Sequence, residues 1–234
     1  MNSVTSLVSF GHRHGSLVLL ALAASFVGCA TESSEAIQPQ QVASFGTTYN
    51  GPKQTIFVSH FDNGSGYMHG IFSNGTDPLA SQAQTILISY LQSSGRFNVV
   101  DRGNMDAIAN EAAIKHQAQT LTGADFAITG DVVEFGRKDV GDIQLFGILG
   151  SGKKQVAYSK VALNVVNVNT SEVVFTVQGA GEYALSDREL IGFGGTAGYD
   201  STLNGKVLDL ALREAVNRLV EGLESGAWKA KAGQ

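Results

Sequence analysis

"EVVFTVQGAGEYALS", residues 172–186, alternates for longer than an ordinary strand requires. Val173, Phe175, Val177, Gly179, Gly181, Tyr183 and Leu185 fall on one strand face. Glu172, Val174, Thr176, Gln178, Ala180, Glu182, Ala184 and Ser186 fall on the other. At about 3.3 Å per residue such a run reaches roughly 45 Å, against roughly 17–20 Å for a common strand. After "SDRE" the chain returns with Ile191, Phe193, Gly195, Ala197 and Tyr199 on one face. A return of about ten residues fits a tilted membrane strand, and Tyr183 and Tyr199 then stand at an interfacial girdle. Phe193, Ala197, Tyr199 and Tyr183 are therefore the candidate lipid-facing residues. An ordinary hairpin over a core produces the same alternation.

The neighbouring segment, 136–168, reads as a second hairpin turning at Gly150, Ser151 and Gly152. Its alternation is spoiled by Arg137, Lys138, Asp139, Asp142 and Lys160, so those charges face either a wet lumen or bulk water. Upstream, "KQTIFVSHF" (53–61) is β-rich and closed by the loop residues "DNGSG". Asp77 then caps a helix that begins with Pro78 and carries Leu79, Ala83, Ile86, Leu87, Tyr90 and Leu91 as its stripe. "RFNVV" (96–100) is a strand, and Met105, Ile108, Ala109 and Ala112 mark a second helix. "ADFAITGDVVEF" (124–135) is a further strand. The last helix places Leu203, Val207, Leu210, Ala211, Ala215, Leu219, Val220 and Leu223 on one face. The expected class is α+β, an α/β domain with a mixed or antiparallel sheet and three main helices, plus two long hairpins at about 136–168 and 172–200.

Composition bounds the function. Net charge is −5, with 16 Lys+Arg against 21 Asp+Glu, which gives a nucleic-acid partner no electrostatic support. The single cysteine excludes an internal disulfide. It stands at Cys29, after Arg13 and an apolar run over residues 17–27 that is too short to span a bilayer and has the length of a signal-peptide core. "SFVGCA" (25–30) resembles the lipobox of bacterial lipoproteins. That resemblance implies cleavage before Cys29 and acylation of its sulfur and new amine, as with palmitate. Several chains, at about 0.8 kcal/mol per buried CH₂, anchor stably. Ala30 in place of aspartate implies sorting to the outer membrane. The expected organisation is a signal peptide over 1–28, a lipidated tether over 29–52, a domain over 53–228 and a tail over 229–234.

Taken in order, "IFVSHF", "SQAQTILISYLQSSGRFNVVDR", "ADFAITGDVVEF", "FGILG", "VALNVVNVNTSEVV" and "ESGAW" resemble the CsgG/HfaB family of curli-production assembly and transport lipoproteins. The resemblance implies a periplasmic domain with two hairpins per subunit, assembled into a ring whose hairpins share one barrel. Four strands cannot close alone and open edges are not tolerated in lipid, so an inserted form must be a homo-oligomer. The largest known barrels hold about 36 strands, which corresponds to about nine such subunits. The family's constriction loop precedes the first helix, and Asn74 in "FSNG" matches its asparagine. Gly75 stands where that family has an aromatic, so Phe72 and Tyr67 are the nearby candidates for an apolar pore lining.

Catalytic and cofactor signals are poor. His60, His69 and His116 lack metal-ligand spacing, and "GFGGTA" (192–197) has no βαβ context for a dinucleotide. The expectation is a protein without enzymatic activity, cofactor or metal. Its first reading is an outer-membrane channel exporting a polypeptide from the periplasm, of a curli-like or adhesin-like kind, with accessory secretion proteins. The alternative is a periplasm-facing lipoprotein that binds an envelope partner without forming a pore. In either case Cys29→Ser removes the acylation site. Metabolic palmitate labelling should vanish in that variant, and labelling that persists would refute the assignment of Cys29.

Overall fold

Helix and strand boundaries in the computed structural model follow the sequence signals closely where those signals are local. Described are residues 38–67, 77–143, 151–188 and 202–228. The elements are β1 (Gln54–Asn63), α1 (Pro78–Ser93), β2 (Phe97–Val99), α2 (Met105–Ile114), β3 (Phe126–Ile143), β4 (Ser151–Asn167), β5 (Val173–Arg188) and α3 (Thr202–Glu224). One five-stranded sheet runs in the order β2-β1-β3-β4-β5. β1 is parallel to both neighbours, whereas β3, β4 and β5 form an antiparallel meander. The fold is thus α+β with a mixed sheet and three described helices. The strand expected over 124–135 continues to Ile143, because β4 pairs with it along its whole length.

α1 and α3 cover one face of the sheet. Asp77 caps α1 by accepting from the backbone N–H of Leu79 at 2.8 Å and of Ala80 at 3.2 Å, and Pro78 occupies the first turn. Leu79, Ala83, Leu87, Tyr90 and Leu91 face the core. The Tyr90 hydroxyl donates to Asp209 of α3 at 2.7 Å, and burial, reinforced by that carboxylate, pushes the phenol up so that it stays a donor. α3 buries more than one stripe: Val207, Leu208, Ala211, Leu212, Ala215, Val216, Leu219, Val220 and Leu223. The expected stripe omits Leu208, Leu212 and Val216. They are buried because α3 touches α1 on one side and β4 and β5 on the other.

Two expectations change. α2 forms, but it has no buried residue, and Ile108 and Ile114 are exposed. Its apolar residues are mostly alanines, which gain little by docking. Order also begins before Lys53. Val42 is 2% exposed and belongs to the core, so part of the stretch read as tether lies on the domain.

Gly179 sets how closely the sheet approaches α3. A Cβ at this position would collide with the carbonyl oxygen of Ala211 and the amide nitrogen of Ala215, neither of which can move aside. The C-terminal end of α3 is closed by Gly226, at φ 77, whose N–H donates to the Leu223 carbonyl while that of Ala227 reaches Gly222. The turn drops Trp228 among Phe97, Phe126 and Phe175, with ring centroids 5.4–6.3 Å away. Gly179→Ala should destabilise by about 1–3 kcal/mol, at roughly 2–4 °C of Tm for each kcal/mol. Gly205→Ala on the same helix meets only Gln82, at 3.6 Å, and should stabilise by up to about 1 kcal/mol. Calorimetry showing the same sign for both variants would contradict this account of the helix–sheet contact.

Candidate functional site

The described ends of the segment between β1 and α1 are joined by one side chain. Asn63, at the end of β1, is 8% exposed. Its amide nitrogen donates to the Tyr67 carbonyl at 3.2 Å and to the Asp77 carboxylate at 2.9 Å. Its amide oxygen accepts from the Ser65 backbone N–H at 3.2 Å and from the Ser65 hydroxyl. All four hydrogen-bonding valences of the amide are engaged. Asp77 meanwhile serves both sides, one oxygen capping α1 and the other holding Asn63. Asp131 of β3 accepts from the Gly64 N–H at 2.7 Å and fixes the turn from below.

Tyr67 is half-buried against the core, its ring 4.8 Å from that of Phe135. Its hydroxyl accepts from the Asn204 amide at 2.8 Å, and the Asn204 oxygen accepts from Arg137 Nε at 2.7 Å. Tyr67 is therefore a packed anchor at the loop base, linked through α3 to β3. Phe72 and Asn74 of the candidate pore loop lie outside the described residues, as do Cys29, Phe193, Ala197 and Tyr199. Tyr183 is 41% exposed on β5 and lies beside α3, with Lys206 Nζ 5.3 Å from its ring centroid. The face shared by Val177 and Gly179 is covered by the core and α3.

Beyond this base β3, β4 and β5 continue together as a three-stranded arm. Register places Arg137, Ala157 and Tyr183 on one rung, then Lys138, Val156 and Ala184 on the next. The following rungs are Asp139–Gln155–Leu185, Val140–Lys154–Ser186, Gly141–Lys153–Asp187 and Asp142–Gly152–Arg188. Alternate rungs belong to the same face. One set of positions thus carries Arg137, Asp139, Lys153 and Asp187, and the other Lys138, Asp142, Lys154 and Arg188. Neither set is an apolar band.

Other chemistry is sparse. His60 pairs with Asp62 at 2.7 Å on the open surface, and among the described residues no cluster of His, Cys, Asp or Glu is placed to hold a metal ion. No described helix is long and apolar enough to cross a membrane.

Over residues 40–234 the sequence matches the family described as Curli production assembly/transport component CsgG. The chain belongs to the CsgG family. A protein of Neisseria meningitidis serogroup B, provisionally named a lipoprotein, is 61% identical over 213 residues, which are 91% of this chain and 96% of that protein. Similar solved structures include lipoprotein GNA1162 from Neisseria meningitidis, at 13% identity and TM-score 0.36, covering 75% of this chain and 100% of that one. The PelC dodecamer from Paraburkholderia phytofirmans aligns at 11% identity and TM-score 0.34, covering 77% and 93%. Protein XCC0632 from Xanthomonas campestris aligns at 12% identity and TM-score 0.40, covering 80% and 94%.

Sequence reading points to the loop but not to Asn63, Asn204 or Arg137, which hold its base. Asn63 heads "NGS" at a strand end, the composition of a turn in which asparagine bonds its own backbone. Asn63→Ala should cost about 1–3 kcal/mol, because the buried partners lose their donor. Asn63→Asp should cost more at neutral pH, since it sets a second carboxylate against Asp77. That pair raises a carboxyl pKa in the folded state, so the folded protein binds more protons and its stability falls as pH rises. Urea melts should show the gap between the Asp and Ala variants closing at low pH. A gap that widens there would refute the bridging role of Asn63.

Proposed function

We propose that this CsgG-family protein is a lipid-anchored envelope component. It is held through Cys29 with its domain in the periplasm, and it works by binding copies of itself and envelope partners through the arm and the loop above α1. The observation that carries this reading is the distribution of charge along the arm. The six rungs cover about 20 Å, close to the roughly 25 Å apolar belt of a membrane barrel. A barrel strand needs one apolar set of positions, and each Lys or Arg near the bilayer midplane costs about 2–4 kcal/mol. Here both sets carry four charged residues. Beyond the first two rungs, where Ala157 and Val156 are buried, the positions of both sets suit water or a polar protein surface.

The family description, assembly and transport, favours a second reading. In it the copies close a ring-shaped export channel in the outer membrane, and the hairpins expected over about 136–168 and 172–200 share one barrel. Planar-bilayer recording of the purified lipidated protein separates the two readings. The aqueous-arm reading predicts membrane-bound protein without discrete conductance steps. Uniform steps from ring-shaped particles would overturn it in favour of the channel. Partner binding is then read by in vivo photocrosslinking at Lys138 and Glu182, positions on the described part of the arm. Crosslinks to envelope proteins are expected, and crosslinks to lipid alone would count against the proposal.

A further inference from the structure

β5 is an edge strand: among the described residues it pairs only with β4. In an antiparallel ladder every second residue turns both its N–H and its C=O away from the partner, which leaves a row of backbone donors and acceptors along the free side. Edges of this kind are commonly blunted by lysine, proline or a bulge. From Thr176 to Ala184 β5 has no lysine or proline, and its register with β4 runs unbroken. Gly179, Ala180 and Gly181 carry no side chain large enough to screen the backbone. A cavity of about 300 Å³ lies against this stretch, lined by β5 over Gln178–Glu182, by Leu210, Glu214 and Arg218 of α3, and by Lys160.

The helix above this edge decides what can enter. A Cβ on Gly179 or Gly181 would run into the backbone of α3 at Ala211, Ala215 and Val207, so α3 stands directly over β5. Half of a helix's roughly 10–12 Å width then overhangs the free edge by about one strand spacing. Leu210, Glu214 and Arg218, at four-residue intervals, form the overhanging flank. Symmetric antiparallel pairing of two copies through β5 would set their α3 helices about 4.7–4.9 Å apart, whereas packed helices need about 8–10 Å. The groove therefore suits a bare extended segment with no helix on this face. Charge narrows the partner further. Arg218 is held by Glu214 at 2.9 Å and Lys160 lies 3.7 Å from Glu134. Glu182 is exposed and has no ion pair among the described residues. One uncompensated carboxylate is left, on the face of β5 that points away from α3.

We propose that the free edge of β5 over Gln178–Glu182 takes an extended polypeptide segment as an added strand. The segment places small apolar side chains beneath Leu210 and a basic side chain toward Glu182. Main-chain hydrogen bonds supply the binding, and the alternating side chains supply the selectivity. The groove runs beside the body of α3, so it works in the same way whether the arm meets water or lipid.

Hydrogen exchange tests this on the full-length protein in detergent micelles, with the capped heptapeptide Val-Lys-Val-Lys-Val-Lys-Val as the probe. At about 1 mM, where even weak edge binding is populated, the peptide should slow exchange at alternate residues of Gln178–Glu182 by about tenfold or more, with β1 and α3 unchanged. The same peptide with every internal amide N-methylated should protect nothing. Glu182→Lys should weaken the lysine peptide by about two- to tenfold and strengthen its glutamate counterpart, a gain that a misfolded variant could not show. No protection by the lysine peptide, or equal protection by the N-methylated one, overturns the proposal. Unchanged affinity of Glu182→Lys for both peptides overturns the basic side chain assigned to the partner. Protection that appears without peptide and grows with protein concentration would put a second copy in the groove and also overturn it.

Discussion

The contact between α3 and the back of β5 is the constraint on which the rest of the domain depends. It is close because Gly179 presents no side chain to the backbone of Ala211 and Ala215. The closeness lets one helix bury nine apolar residues against the sheet and α1 at once. Each fully buried aliphatic side chain contributes on the order of 1.5–3 kcal/mol, so this helix supplies a large share of the core. It also positions everything else. Its first turns offer Asn204 to Tyr67 and Arg137, its middle takes the Tyr90 hydroxyl through Asp209, and its end meets Arg96 through Glu224. Past that end Gly226 turns Trp228 into the aromatic cluster beneath the sheet.

A helix that touches both ends of the domain places two distinct pieces of chain under one rigid element. At one end stands the loop between β1 and α1, its ends joined by Asn63, with the arm of β3, β4 and β5 beside it. At the other end lies the N-terminal segment clasped by Arg96. Each end is organised around one buried polar side chain with several partners, Asn63 at the first and Arg96 at the second. Such groups fix geometry strongly, because each lost partner leaves a desolvated donor or acceptor. The arm is the opposite case. Register puts charged residues into both sets of positions, and the proposed function rests on that distribution.

How much of this was legible in the sequence follows from the range of each interaction. The cap at Asp77 and Pro78, the stripe of α1 and one stripe of α3 rest on neighbours three and four residues apart, and sequence reading finds them, whereas Leu208, Leu212 and Val216 are buried by the tertiary contacts of α3. The alternation of β5 was also legible, but what covers its apolar face was not. Val177 and Gly179 meet the core and α3, a partner some thirty residues away, and alternation alone does not distinguish a helix from lipid. α2 shows the reverse: a helical pattern in sequence with no buried residue in the fold. Val42 stands alone in a polar stretch, so no periodicity marks it, and its burial depends on contacts far along the chain. Asn63, Asn204 and Arg137 are ordinary polar residues until the topology joins them.

The central claim is that the arm lies in water on both faces. Site-directed spin labels on alternate rungs of the lipidated protein in bilayers test it most directly, with one label at Tyr183 and one at Ala184 compared by their collisions with oxygen and with a water-soluble nickel chelate. The account predicts nickel-chelate accessibility at both positions and no preference for oxygen. Oxygen-dominated relaxation at one position, with nickel-chelate access at the next, would show a strand in the bilayer and contradict it.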